Sequence, residues 1–224
     1  MFCNSVYSGR GVEIFKLYIG LFGSLFFAIS SAESVELPKT ANGVYFSLGI
    51  PYAEAPVGRL RWRPPLDKIL NTELTLNKQT FSASCHPFSK KNLSYIRYGS
   101  EINEDCLYLN VWTPNPYGNY PVMVWIHGGA FRNGNGNILG DLLARYGVVV
   151  VSLNYRLGPL GFFAHPALET DDPNFGILDQ LSALRWVRRH INDFGGDPDN
   201  VTIFGSSAGA LSVDLLTAHP DAAG

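Results

Sequence analysis

Val201-Thr202-Ile203-Phe204-Gly205-Ser206-Ser207-Ala208-Gly209-Ala210-Leu211 joins a short β-branched, apolar run to a serine pair flanked by glycines and then to good helix formers. A strand, a tight turn and a helix in so few residues form the unit from which a doubly wound α/β sheet is built. The turn itself reads G-x-S-x-G, from Gly205 to Gly209. With 23 glycines in the chain that pentapeptide is a weak signal alone. Its position between a predicted strand and a predicted helix is what a nucleophile elbow requires. The requirement is steric: a sharp turn strains the serine backbone and packs the chain on itself, so the flanking positions must lack bulk. Ser207 then stands at a helix N-terminus, where unpaired N–H groups, Ala208's among them, favour developing negative charge.

Upstream, Val122 to Ile126 and Gly147 to Leu153 are continuous apolar runs bounded by Pro, Gly or Asn, as in strands covered on both faces. Tyr108 to Thr113 alternates. Gly176 to Phe194 has helical spacing instead, with Ile177, Leu181, Leu184, Val187 and Ile191 at steps of three or four, and Gly195-Gly196 stops it. From Gly43 to Pro65 short apolar stretches are broken by Pro51, Pro56, Gly58 and Pro64-Pro65, which predicts small antiparallel strands joined by turns.

Ile126-His127-Gly128-Gly129-Ala130-Phe131 follows an apolar strand directly. An ester transition state needs several donors on its oxyanion, and glycines let the backbone approach it closely. Gly128 and Gly129 are therefore expected to donate beside Ala208; a plain glycine turn is the alternative. His127, next to these glycines, is expected to orient the loop rather than act as base, since the base of such a site follows the nucleophile in the chain. After Ser207 the chain has one histidine, His219, twelve positions on. Along a helix that is about 18 Å from the serine, too far for a base.

The remaining features bear on class and location. Lys plus Arg number 17 against 19 acidic residues, which gives no basic surface for nucleic acid and directs attention to a small-molecule partner. Residues 1–32 have Arg10 and Lys16, an apolar run from Leu17 to Ile29, then small residues to Ala32: a signal-peptide pattern. A membrane anchor is the competing reading, but the run is interrupted by Gly20, Gly23 and Ser24 and is short for a span, so no membrane segment is expected after cleavage. Loss of that leader removes Cys3 and leaves Cys85 and Cys106 with twenty residues between them, an even pair that suggests a disulfide in an exported chain; two free thiols are the alternative. Asn92 and Asn200 head N-x-S/T sequons, acceptors for glycosylation in a eukaryotic secretory route.

Several separate stretches together resemble the type-B carboxylesterase and cholinesterase family. They are Gly49-Ile50-Pro51-Tyr52-Ala53, Pro56-Val57-Gly58-Arg59-Leu60-Arg61, Glu104-Asp105-Cys106-Leu107-Tyr108-Leu109-Asn110, Asn154-Tyr155-Arg156-Leu157-Gly158, Asn174-Phe175-Gly176-Ile177-Leu178-Asp179-Gln180 and Phe194-Gly195-Gly196-Asp197-Pro198. The resemblance covers about residues 43 to 224. It implies an α/β-hydrolase fold: a mostly parallel central sheet, helices on both faces and a small N-terminal antiparallel part, ending after the elbow helix. It also implies Ser207 as nucleophile, an oxyanion hole from Gly128, Gly129 and Ala208, a Cys85–Cys106 disulfide, and buried ion pairs of Arg156 with Asp179 and of Arg61 or Arg63 with Glu104. Three departures stand out. Ser206 replaces the Glu usual before the nucleophile. The loop between the cysteines has Tyr95 and Tyr98 but not the Trp on which cholinesterases stack a cation. The triad's acid and His are expected beyond residue 224, so that residues 33–224 are the N-terminal part of a longer domain.

The expectation is thus a secreted, extracellular (or, in a bacterium, periplasmic) serine hydrolase of carboxylic esters, with no metal and no organic cofactor and with its oligomeric state open. The alternative is a catalytically inactive truncation, or a non-catalytic adhesion or binding member of the same family.

Overall fold

The computed structural model describes residues 37–68, 79–88, 101–168, 170 and 172–220. The leader, Asn92, Tyr95 and Tyr98 lie outside the described residues. Five strands form one sheet: β1 (Tyr45–Pro51), β2 (Tyr108–Thr113), β3 (Tyr120–Ile126), β4 (Val149–Leu153) and β5 (Gly196–Gly205), in the order β1-β2-β4-β3-β5. The strands β3, β4 and β5 run parallel, whereas β1–β2 and β2–β4 are antiparallel. The α/β class expected is present, with a sheet that is mixed rather than mostly parallel over these residues. The small N-terminal antiparallel part is present too. It holds one strand, β1, an antiparallel bridge from Ala53 to Asp67 and a 3-10 turn at Gly58–Leu60. Prolines lack the N–H that a ladder needs, and Pro56, Pro64 and Pro65 confine the pairing after β1 to the few residues around Ala53 and Asp67.

Register assigns the two faces. Val122, Val124 and Ile126 of β3 lie beside Val149, Val151 and Leu153 of β4, and Leu109 and Val111 of β2 continue the row. This face is covered by the long helix α3 (Phe175–His190), through Ile177, Leu181 and Val187, and by α4 (Ala208–Ala218), through Leu216. A short helix, α1 (Asp141–Ala144), packs Ala144 against Trp112 and Val150 on the opposite face, and α2 (Gly158–Gly161) follows β4. The helix expected to reach Phe194 ends at His190, and its last four residues tighten into a 3-10 turn before Gly195 at φ 72°. The longest strand, β5, begins five residues earlier than the apolar run suggested: Gly196 pairs with Tyr120, the register then shifts, and the ladder with β3 resumes at Val201 opposite Val122.

The alternation of β2 has an unexpected partner. Asn110, which reads as a solvent-facing residue, is buried against Ser152 across the ladder. Its amide donates to Ser152 Oγ at 3.1 Å and to the Gly136 carbonyl at 3.2 Å, while Asn154 Oδ1 accepts the Gly136 N–H at 2.8 Å. These bonds satisfy buried polar groups and fasten the loop around Gly136 to the ends of β2 and β4. The Arg156–Asp179 pair is also buried, with side chains 4% and 0% exposed. Asp179 accepts from Arg156 Nη2 at 2.6 Å, from Nε at 2.8 Å and from the Arg156 backbone N–H at 3.0 Å, tying the residues after β4 to α3. Arg61, rather than Arg63, pairs with Glu104 at 2.6 and 2.7 Å, and at 38% and 24% exposure this pair is partly open to solvent rather than buried as expected. A disulfide joins Cys85 to Cys106.

Candidate active site

Two chain segments meet where the parallel strands end: the elbow between β5 and α4, and the glycine loop after β3. Ser207 is the N-cap of α4 and has φ 56° and ψ −123°. For a residue with a Cβ this costs on the order of 1–3 kcal/mol, and such strain persists only where the surroundings enforce it. Here they do. A Cβ on Gly205 would stand 2.5 Å from the Gly209 carbonyl carbon, and one on Gly209 would overlap the Ile126 carbonyl oxygen at the end of β3. The bend therefore closes only with glycine at both flanks. It is fastened by Gly209 N–H to Ser206 O at 2.9 Å and by Ala210 and Leu211 N–H to Ser207 O at 2.9 and 3.1 Å. The N–H of Ala208, first in the helix, has no carbonyl four residues back within it.

The glycine loop lies against this bend. A Cβ on Gly128 would come within 2.5 Å of Ser206 O and 3.2 Å of Ser207 Cβ. The backbone of Gly128 thus approaches the serine as closely as a chain without a side chain permits. Beyond it Gly129, Ala130 and Phe131 have φ of 114°, 54° and 56°. Three left-handed residues in succession turn the loop back on itself, and four of its carbonyls are tied. Tyr155 Oη donates to His127 O at 2.8 Å, His127 Nδ1 to Gly128 O at 2.8 Å, Arg132 and Asn133 N–H to Gly129 O at 3.0 and 3.1 Å, and Gly158 N–H to Phe131 O at 2.7 Å. Among the described residues no protein acceptor takes the N–H of Gly128, Gly129 or Ala130. With the His127, Gly128, Gly129 and Phe131 oxygens occupied and the three successive N–H groups not, the free donors of this loop can face an anion. Gly128 and Gly129, the donors expected from residue type, are thus followed by a third free N–H at Ala130, whose left-handed φ has no mark in the sequence.

His127 is buried, with its ring stacked on Tyr155 at 4.3 Å and 16°. A carbonyl can only accept, so Nδ1 carries the proton and Nε2 is bare; Nε2 has no partner among the described residues. Burial, opposed by the bond to Gly128, pushes this imidazole down to about 4. It is a neutral loop brace at any ordinary pH, in line with the orienting role expected of it. His219 caps the far end of α4, and among the described residues no histidine hydrogen-bonds to Ser207. No group of His, Cys, Asp and Glu among the described residues is arranged to hold a metal ion, and no helix there is long and apolar enough to cross a membrane.

Residues 33–224 match the family model described as "Carboxylesterase family". The chain belongs to that family. It is 48% identical over 192 residues to the para-nitrobenzyl esterase of Bacillus subtilis (strain 168), covering 83% of this chain and 39% of that protein. With the fumonisin B1 esterase of Sphingopyxis macrogoltabida it shares 45% over 183 residues, 77% of this chain and 33% of the relative. A solved PNB esterase structure superimposes with a TM-score of 0.74 at 45% identity, over 83% of this chain and 39% of the other. The chain therefore spans between a third and two fifths of the length of these carboxylesterases. Ester hydrolysis is the activity of the family in general.

Proposed function

We propose that the whole protein carrying this chain hydrolyses carboxylic esters through an acyl-enzyme on Ser207. Ser207 Oγ attacks the ester carbonyl carbon while its proton passes to a histidine supplied by residues after 224. The carbonyl oxygen, now an anion, is held by the N–H of Ala208 and by those of the glycine loop, Gly128 and Gly129 with Ala130 next in line. Collapse of the tetrahedral adduct expels the alcohol, which takes the proton from the histidine. Water then repeats the sequence on the acyl-serine, releasing the carboxylic acid and restoring the hydroxyl. No metal or organic cofactor enters these steps. One observation carries the reading: a serine held in left-handed strain at a helix N-terminus, with the Gly128 backbone packed against it. In the full-length protein, Ser207→Ala is expected to abolish hydrolysis of p-nitrophenyl acetate; turnover within twofold of wild type would refute the assignment.

A second reading concerns the 224-residue chain by itself. Ser207 is exposed and has no histidine bonded to it among the described residues, so we infer that this portion alone turns over negligibly. Residues 33–224 would be the N-terminal part of the catalytic domain, following a cleaved leader. Export agrees with the Cys85–Cys106 disulfide and with the exposure of Asn200 on β5. A fluorophosphonate probe separates the cases: stoichiometric labelling of the isolated chain at Ser207 would show that it needs nothing further. Replacement of the usual Glu by Ser206 removes a carboxylate beside the nucleophile, and the substrate class is left as small carboxylic esters.

A further inference from the structure

The geometry points to Tyr155 as a positioning residue for this reaction: its ring and hydroxyl hold His127, and through it the peptide planes that present the Gly128 and Gly129 N–H groups. The proposal rests on the esterase reading given above. A trans peptide is planar, so the carbonyl of one residue and the N–H of the next point in opposite directions along one rigid unit. Fixing the His127 oxygen therefore fixes the direction of the Gly128 N–H, and fixing the Gly128 oxygen fixes that of Gly129. The first oxygen accepts from Tyr155 Oη at 2.8 Å. The second accepts from the His127 ring, and that ring lies flat against Tyr155 at 4.3 Å. One tyrosine thus acts on both planes, directly on one and through a stacked imidazole on the other.

Tyr155 is itself rigid, which is what the role needs. It is fully buried, and both its chain neighbours are anchored. Asn154 N–H donates to the Tyr108 carbonyl at 2.9 Å and Arg156 N–H to the buried Asp179 carboxylate at 3.0 Å. The loop has little torsional restraint of its own at Gly128 and Gly129, so its direction must come from outside it. Gly134 contributes room: a Cβ there would stand 2.6 Å from both His127 Nδ1 and Gly128 O, in the space the brace occupies. Burial raises the Tyr155 phenol well above its usual value, so it remains a donor wherever an esterase works.

The test is Tyr155→Phe in the full-length protein, which keeps the ring and removes the donor. Loss of a whole oxyanion donor costs about 10²–10³ in kcat, so donors that are kept but unclamped are expected to cost about tenfold. KM for p-nitrophenyl acetate should stay within twofold, and affinity for a trifluoromethyl ketone, which needs the oxyanion donors, should fall in parallel with kcat. 4-Aminophenylalanine at 155, which retains a donor, should recover most of the loss. Val151→Ala, on the neighbouring strand, controls for destabilisation alone and should leave kcat unchanged. In a ¹⁵N-glycine-labelled sample the Gly128 and Gly129 amide signals should move in Tyr155→Phe and not in Val151→Ala. Wild-type kcat in Tyr155→Phe, or unmoved glycine amides, would overturn the proposal. Should wild type show no esterase activity, the esterase reading fails and the amide shifts alone decide whether Tyr155 sets the loop. If Tyr155→Phe does not fold, the His127 carbonyl ¹³C signal of wild type decides, since a carbonyl without the downfield shift of an accepted hydrogen bond rules the clamp out.

Discussion

The buried imidazole of His127 makes a prediction whose size follows from its surroundings. A histidine free in water titrates near 6.5, and here burial brings it down to about 4, because a second proton would have to sit on Nε2, which faces no acceptor among the described residues. Between those two values the unfolded chain binds a proton that the folded one refuses, so stability rises with pH across the window. The contribution is complete above about pH 6.5 and is lost as the pH falls to about 4. At 1.36 kcal/mol per unit, the full window amounts to about 3 kcal/mol. His127→Asn puts an amide donor where Nδ1 stands and does not titrate. Urea unfolding of wild type and variant at pH 7.5 and pH 4.5 isolates the histidine, because carboxylates contribute to both proteins alike. Wild type should lose about 2–3 kcal/mol more than the variant over that step. The imidazole Cε1–H resonance should titrate directly with a midpoint near 4. A midpoint near 6.5, or equal losses in the two proteins, would refute the burial argument and with it the neutral brace.

Asp179→Asn leaves the Arg156 guanidinium buried without its counter-charge and is expected to cost about 3–5 kcal/mol, read from the denaturant midpoint; a loss under 1 kcal/mol would show that the site rehydrates. Reduction of the Cys85–Cys106 disulfide, or its replacement by two alanines, should cost about 3 kcal/mol by the chain-entropy account, measured as the difference in unfolding with and without reductant. Gly209→Ala must push the elbow off the Ile126 carbonyl, and a displacement of this order is expected to lower kcat about 100-fold with a smaller change in KM. Wild-type kcat in that variant would mean the contact yields without moving Ser207.

The parts of the fold that were legible are those whose signal is local. Apolar runs at Val122 to Ile126 and Val149 to Leu153 could only be covered strands, and the glycines about Ser207 could only be there for a bend. Polar residues misled, because type does not reveal burial. Asn110 sits in an alternating strand and reads as wet, yet it is paired with Ser152 and Gly136 across distances of 42 and 26 residues in the chain. The start of β5 is not legible for a different reason: its early residues join β3 through Gly196 alone, across a register shift before Val201, and such irregular pairing leaves no periodicity in the sequence.

The site divides along the same line. Ser207, Gly128 and Gly129 are visible because the chemistry proposed for them calls for particular residue types at particular spacing. What aims them is less visible, for a backbone N–H is present at nearly every residue and only its direction distinguishes a donor site from a turn. That direction is set here by oxygens on the other side of the same peptide planes, and those oxygens are held by a tyrosine 28 residues from His127 in the chain and by a histidine acting on its own neighbour. Tyr155 stands between an asparagine and an arginine whose bonds to Tyr108 and Asp179 serve the fold. The buried ion pair and the oxyanion loop are therefore not independent: Asp179 holds Arg156 N–H, Arg156 fixes the backbone next to Tyr155, and Tyr155 carries the loop. Damage to Asp179 should consequently reach kcat through the glycine amides as well as stability through the stranded charge, whereas damage to the Arg61–Glu104 pair, which is 38% and 24% exposed and makes no bond to Tyr155 or Asp179, should reach neither strongly.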